Sequence, residues 1–425
     1  MMRALVLTPK DKLASVQDIA IPEPGPSEIL IRVHAVALNR VDWLYTANPV
    51  AAQERRVVRS DFAGEVAKVG PGLDKLNDPR VKVGTRVASF VQGGKFLSTS
   101  NRYVYVVLTS YCPLACSVNE RPGAFAQYVC VEWDLAWHVP DIMSFEEAAG
   151  ISMCGLTAAQ GLFSRLQLPC PFFRTEGFGH LGLKTGNPAN ILIYGATSSL
   201  ALFAAQLVRL SEQFSGANVN LIGVASASKH DLLRAKPYTF DVLIDYHDSD
   251  WTEQVKKLTE ETGGVHYAVD AVSISPTVEQ IESLLAPNGR FAVYRSPALG
   301  KYDINKLRIK PLIGAVWEGL GVEIGYHGAR TIPRRHFQIA VMTNQLLILG
   351  ATIKANPQAR KFSTEFFKFL GSEAPRGKAM MESNPVRHIQ GGLDKIVEDG
   401  LPLVSPNKVP GVRPVSAEKV VFTIE

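Results

Sequence analysis

Hydroxyl-bearing and small residues gathered in one short stretch are the first place in this chain where chemistry suggests itself. Gly195-Ala196-Thr197-Ser198-Ser199 follows Ile191 to Tyr194, a run of four apolar or aromatic residues, and precedes a segment from Leu200 whose apolar residues recur at helical spacing. That pattern predicts strand, tight turn and helix. A turn of this kind aims a helix N-terminus and its unbonded N–H groups at one point, which suits a pyrophosphate. The full glycine fingerprint is missing, since Gly195 is the sole glycine and Ala196, Ser198 and Ala201 occupy positions that want small residues. By itself the loop fits equally well a strand and helix that merely pack.

A second constellation follows. After the apolar run Val219 to Val224 comes Ala225-Ser226-Ala227-Ser228-Lys229-His230. An NAD site wants an acid at this point to hold the ribose 2′-hydroxyl. This stretch has none, and offers instead the hydroxyls of Ser226 and Ser228 and the Lys229 cation. These suit a 2′-phosphate, because charge-assisted hydrogen bonds contribute about 1.5–3 kcal/mol each. The expectation is NADPH in preference to NADH, with an ordinary solvated lysine as the competing reading of Lys229.

The elements that must position these groups alternate. Strands are predicted at 191 to 194, 219 to 224, 242 to 245, Tyr267 to Ala271 and Arg290 to Tyr294. Helices are predicted from about 200, around Asp231 to Ala235, over Trp251 to Thr262 and around Val278 to Ala286. Alternation of this kind predicts a parallel sheet covered on both faces. The N-terminal part differs: Arg3 to Val16, Ile29 to Leu38, Asp61 to Val69 and Arg86 to Phe90 read as short strands between turn-rich segments, with no helical crossovers. Gly123 to Tyr128 opens a further strand through Val131. Ser144 and Glu147 form a capping box at the start of a helix expected to run on through Ile151 to Leu162. Phe163 to Pro188 reads as a loop. Beyond Ser296 the signals are helices around Arg335 to Leu349 and Ala359 to Leu370, a turn at Gly391-Gly392 and a final strand Lys419 to Ile424.

Composition bounds the possibilities. A length of 425 residues is natural for two domains, and 20% charged with 46% apolar residues describes an ordinary soluble globular chain. The net charge of +5 is dispersed without a basic block, which argues against nucleic-acid or membrane binding. Met1 to Lys10 carries no leader-like apolar run, and no segment reaches about eighteen continuous apolar residues, so a cytoplasmic location is expected. The five cysteines, Cys112, Cys116, Cys130, Cys154 and Cys170, are odd in number and unevenly spaced, unlike a secreted disulfide framework.

Several stretches together resemble the medium-chain dehydrogenase/reductase superfamily over most of the chain. They are ALNRVDW at 37 to 43, SDFAGEVAKVG at 60 to 70, GAFAQYV at 123 to 129, SFEEAAGISMCGLTAAQGLF at 144 to 163, YGATSSLALFAAQL at 194 to 207, DY at 245 to 246 and QGGLDKI at 390 to 396. Within the superfamily the chain is most similar to the zinc-independent quinone and enoyl reductases, particularly the fungal trans-acting enoyl reductases of polyketide biosynthesis. The resemblance implies an α/β fold: a GroES-like β-rich catalytic domain at 1–160, completed by 340–425, and a Rossmann doubly wound parallel-sheet domain at 161–339.

A catalytic zinc needs a Cys/His/carboxylate set. In alcohol dehydrogenase relatives a Cys would stand near Asn39 and a His near Phe62, and neither is present. Cys112 and Cys116 form a pair with no second pair, so no metal is expected. Without one, the chemistry implied is hydride transfer from NADPH to the double bond of an α,β-unsaturated thioester held on a polyketide synthase carrier domain, by a protein expected to be a monomer. The resemblance places Val41, Asp42, Trp43 and Leu44 at the nicotinamide end and Thr197, Ser198, Ser199 and Leu200 at the pyrophosphate. It puts Ser226, Ser228 and Lys229 at the 2′-phosphate and Tyr246 near the adenine, where a core tyrosine is the alternative. It makes Ile151, Ser152, Met153, Cys154, Gly155, Leu156, Thr157 and Ala158 the substrate wall, with Thr157 as hydroxyl donor unless that hydroxyl bonds its own helical turn. Relatives often carry lysine in place of Leu44 and threonine in place of Met153. A stand-alone quinone or alkene reductase and a catalytically altered NADPH-binding protein therefore stay open as alternatives.

Overall fold

Alternating apolar runs in the N-terminal stretch become antiparallel strands in the computed structural model, which describes residues 1–8, 13–47, 56–58, 60–92, 121–173, 188–322, 353–406 and 410–424. The described chain forms two units, one of residues 1–153, 317–322 and 353–424, the other Cys154–Val316. In the first, β1 (Met2–Thr8) pairs with β2 (Leu13–Ile19). A second sheet holds β3 (Glu28–Ala37), β4 (Ser60–Val69), β5 (Arg86–Val91), β6 (Tyr128–Glu132) and β7 (Trp137–His138), with β3 flanked by both β4 and β6. A helix that the strand pattern did not signal, α1 (Arg40–Ala47), interrupts the strands between β3 and β4.

The capping box is present as expected. Ser144 Oγ accepts from the Glu147 N–H at 3.1 Å, and the Glu147 carboxylate accepts from the Ser144 N–H at 2.8 Å, starting α2 (Phe145–Ala149). The single helix expected through Leu162 is not formed. The α2 helix ends at Gly150, and α3 (Ser152–Ala159) begins anew because the Met153 N–H donates to Asp61 at 2.7 Å. After Ala159 the helix widens into a π-turn over Gln160–Arg165.

The second unit follows the sequence rhythm closely. Strands β8 (Ala189–Tyr194), β9 (Val219–Val224), β10 (Val242–Ile244), β11 (Val265–Asp270), β12 (Leu285–Val293) and β13 (Leu312–Ile313) form one parallel sheet in the order β10-β9-β8-β11-β12-β13. Between them lie α4 (Ser199–Ser215), α5 (His230–Arg234), α6 (Trp251–Thr259) and α7 (Thr277–Leu284). The first ten residues of α4 include Ala201 to Val208, all buried, which is why this helix covers the centre of the sheet. It stops where Gly216 turns to a φ of 67° and its N–H caps Glu212 O.

The C-terminal segment adds α8 (Pro357–Leu370), whose Phe362, Phe366 and Phe367 are buried, then β14 (Val386–Ile389) and β15 (Lys419–Thr423). Strand β15 pairs antiparallel with β3 and parallel with β14, and so extends the first unit's sheet. No helix among the described residues is long and apolar enough to cross a membrane. The helix expected around Arg335 to Leu349, the Cys112/Cys116 pair and most of the loop before Pro188 lie outside the described residues.

Candidate functional site

In the second unit the strand order reverses between β8 and β11, and the register brings Tyr194 level with both Val224 and Asp270, and Val224 level with Ile244. The loops that follow β8, β9, β10 and β11 therefore leave the sheet along one edge, at the point where doubly wound sheets hold ligands. Gly195 opens the first loop with a φ of +70°, a backbone shape that L side chains rarely adopt. A Cβ there would stand 2.7 Å from Val272 Cγ2 in the loop after β11. The N–H groups of Gly195 and Ala196 both donate to Val224 O, at 3.0 and 3.1 Å, which ties the turn to the end of β9. Ser198 is the N-cap of α4, accepting from the Ala201 N–H at 3.2 Å, and Thr197, Ser199 and Leu200 are half-buried beside it. The first turn of α4 thus aims its backbone donors past this edge.

The second loop brings its hydroxyls together, Ser226 Oγ and Ser228 Oγ lying 3.3 Å apart, with Lys229 half-buried at the end of the same 3-10 turn. The acid sought at the end of β9 is absent from that loop, yet the fold supplies one from β10. Asp245 accepts from the Ala227 N–H at 3.0 Å, from the His247 N–H at 2.9 Å and faces His247 Nδ1 at 2.7 Å. The backbone N–H groups of His247 and Ala227 hold its carboxyl down to about 2, so it is charged. Tyr246 is 45% exposed with its ring 4.0 Å from that of His247, so it is no core tyrosine. Asp245 and His247 escaped the sequence reading because only parallel pairing of β9 with β10 makes residues so far apart neighbours. The DY motif was the available signal.

A buried polar group shapes the fourth loop. Asp270 accepts from the N–H groups of Val272 and Ser273 at 2.9 and 2.7 Å and from Thr277 Oγ1 at 2.7 Å, while Ser273, at a φ of +56°, accepts from the Tyr294 N–H. Burial raises the Asp270 carboxyl above its ordinary range. These bonds place Val272 against Gly195.

The first unit contains a buried cluster of which the sequence points to Asp42 as a site residue and to Asn39 as a position without a zinc ligand. Asn39 donates its amide to Ser60 Oγ at 2.6 Å and Asp61 Oδ2 at 2.9 Å, and Lys419 Nζ donates to Asn39 Oδ1 at 2.6 Å and Asp61 Oδ2 at 3.2 Å. Every partner of Asp61 is a donor, which favours its carboxylate form, although burial raises its pKa against the pull of Lys419. Asp42 is fully buried and faces inward, capping α1 by accepting from the Asn39 N–H at 2.6 Å. Around it on α1, Val41 and Trp43 are half-buried and Leu44 is exposed.

Burial pushes the Asp42 carboxyl up to about 8, against the opposing hydrogen bonds from Asn39 and Ser60. In the unfolded chain the same group ionises near 4. Its folded pKa is the higher one, so its contribution to stability is complete below pH 4 and is lost as the pH rises to about 8. Urea unfolding midpoints for wild type and Asp42→Asn should therefore diverge in the variant's favour between pH 5 and 8, with up to about 1.4 kcal/mol per pH unit at stake. Parallel curves would contradict a buried neutral Asp42.

On α3, Ile151, just before it, and Ser152, Met153, Gly155, Leu156 and Ala158 are buried, Ser152 Oγ accepting from Trp137 Nε1 at 3.0 Å. Cys154 and Thr157, three residues apart and hence on one helix face, are half-buried. Of the eight residues expected to form a substrate wall, only these two retain partial exposure in the structure.

Zinc does not fit at the Asn39 cluster, because it offers no thiolate or imidazole and the chain's own ammonium, Lys419, already occupies it. Among the described residues no group of three or more His, Cys, Asp or Glu side chains is placed to hold a metal ion. A dinucleotide does fit the second unit's edge, where the left-handed Gly195 leaves a gap that a side chain would fill.

Comparison with known proteins adds the following. Residues 25–141 match the alcohol dehydrogenase GroES-like domain and residues 203–312 the zinc-binding dehydrogenase domain. The chain is 24% identical to the trans-enoyl reductase ccsC of Aspergillus clavatus, covering 99% of this chain and 96% of that protein. It is 26% identical to the trans-enoyl reductase caaB of Aspergillus niger, covering 97% and 96%. Among solved structures it resembles a mycobacterial protein complexed with NADPH, with a TM-score of 0.59, 19% identity and complete coverage of both chains.

Proposed function

Because this chain belongs to the medium-chain dehydrogenase/reductase superfamily, whose two domain models together match more than half of it, we propose that it is an NADPH-dependent trans-acting enoyl reductase. Its substrate is the C=C bond of an α,β-unsaturated thioester carried by a polyketide synthase. Relatives of that name align along nearly the whole chain, and a solved neighbour of the same fold was complexed with NADPH. The observation that carries the reading is the Ser226–Lys229 turn, whose two hydroxyls and cation lie on the same sheet edge as the Gly195 turn.

Bound there, the cofactor would supply a hydride for the β-carbon of the acceptor, and a proton from solvent would complete the reduction at the α-carbon. The chain's residues do the rest. Backbone N–H groups at Thr197, Ser199 and Leu200 receive the pyrophosphate, Ser226, Ser228 and Lys229 receive the 2′-phosphate, and Tyr246 offers an exposed ring to the adenine. Thr157, on the part-exposed face of α3, offers its hydroxyl to the carbonyl oxygen on which negative charge develops.

Lys229→Ala is expected to weaken NADPH about tenfold or more while leaving NADH within about twofold, as read by fluorescence titration. Equal affinity of the wild type for the two cofactors would sink the NADPH assignment. Failure to oxidise NADPH with any enoyl thioester, alongside good reduction of quinones or free enals, would reassign the chain as a stand-alone quinone or alkene reductase.

A further inference from the structure

The turn assigned to the 2′-phosphate contains an obstacle that the sequence order concealed. Asp245, delivered from β10, places a carboxylate oxygen 3.0 Å from the Ala227 nitrogen, between Ser226 and Lys229. A phosphate dianion arriving there meets one lysine and one fixed carboxylate of its own sign. With Lys229 alone the balance of side-chain charge at the turn is zero, and discrimination in favour of a 2′-phosphate would be weak.

The same carboxylate has a second partner. Its other oxygen lies 2.7 Å from His247 Nδ1, and the His247 N–H also donates to it at 2.9 Å. The His247 ring lies 4.0 Å from that of Tyr246, tilted by 33°, and is 60% exposed as a side chain. It is therefore held at the turn by Asp245 on one side and Tyr246 on the other.

We propose that His247 is a specificity-determining residue for the cofactor: by engaging the Asp245 carboxylate with both its ring Nδ1 and its backbone N–H it blunts an acceptor that would otherwise repel a 2′-phosphate. The inference rests on the NADPH reading above and adds to it the residue that makes the reading electrostatically workable. His247 acts through Asp245 and is a positioning residue, distinct from Ser226, Ser228 and Lys229, which meet the phosphate. A bare dinucleotide with free 2′- and 3′-hydroxyls brings no added charge to the turn, so its affinity should depend little on His247.

The test is a double-mutant cycle on the full chain, read as dissociation constants for NADPH and NADH by fluorescence titration. His247→Ala is expected to weaken NADPH at least tenfold and NADH less than twofold. His247→Asn, which keeps a hydrogen-bond donor near Asp245, should restore most of the NADPH affinity. In an Asp245→Asn background, where no carboxylate faces the phosphate, His247→Ala should cost less than about twofold. The proposal is overturned if His247→Ala leaves NADPH affinity unchanged, weakens both cofactors alike, or costs as much in the Asp245→Asn background as in the wild type. A wild type that prefers NADPH while the variants behave in one of these ways removes His247 but keeps the cofactor assignment. A wild type without preference removes both.

Discussion

Replacing Lys419 with methionine is expected to destabilise the first unit by about 3–5 kcal/mol, because it leaves a carboxylate buried without its counter-charge. The side chains of Lys419 and Asp61 are 3% and 0% exposed, and they meet at 3.2 Å inside a cluster that also holds the second carboxyl, Asp42. With the ammonium gone, Asp61 retains the Asn39 amide and the Met153 N–H as donors but must take a proton to remain in place. The cost should therefore grow with pH. Urea unfolding followed by tryptophan fluorescence reads this directly, since Trp137 donates to Ser152 next to the Met153 contact. A loss below about 1 kcal/mol would mean that water reaches the pair. Combining Lys419→Met with Asp61→Asn should recover much of the loss, because an uncharged amide needs no counter-charge and can still accept from the Met153 N–H.

The consequence reaches beyond stability. Asp61 ends the cluster by fixing the Met153 N–H in the first turn of α3, and Lys419 comes from the last strand of the chain. The start of the helix that carries Cys154 and Thr157 therefore depends on a residue more than two hundred and fifty positions later, counted from Met153 to Lys419.

Gly195→Val should nearly abolish cofactor binding, by roughly a hundredfold or more, with a much smaller effect on overall folding. A β-branched residue at a φ of +70° is strained by about 1–2 kcal/mol, and its Cβ would overlap Val272 Cγ2 at 2.7 Å. Either the turn or the loop after β11 must move, and both line the edge where the donors of α4 converge. A shift of the order of 1 Å misdirects those N–H groups from a pyrophosphate. Isothermal titration with NADPH, alongside thermal unfolding as the control for folding, checks the prediction. Affinity within threefold of wild type would place the pyrophosphate elsewhere. Gly195→Ala should fall between the two, since its contact is the same but its backbone penalty is smaller.

Much of this was legible in the chain itself. The period-2 and 3.6 patterns located β8, α4, β9, β10 and α6 within a few residues, because each element in a doubly wound sheet is local in sequence and buries a face on the core. The capping box at Ser144 and Glu147 was equally readable, being a contact between residues three apart. The break after Gly150 was not, because what stops the helix is Asp61, ninety-two positions away from Met153. The short strand β13 and helix α1 were also missed. The first is too brief to show a period, and the second has a weakly amphipathic pattern that buries two polar residues, Asp42 and Thr46.

Residue types by themselves determined the strand, turn and helix around Gly195, the hydroxyls and cation after β9 and the lack of zinc ligands at Asn39 and Phe62, since these depend on what is present at short spacing. Tertiary structure alone decided where the acids fell. Asp245 joins the Ser226 turn through parallel strand pairing, and Asp61 meets Lys419 because β15 closes on β3. Charge acts through space over a few ångströms, whereas sequence records only separation along the chain, so electrostatic partners were the part that only folding could reveal.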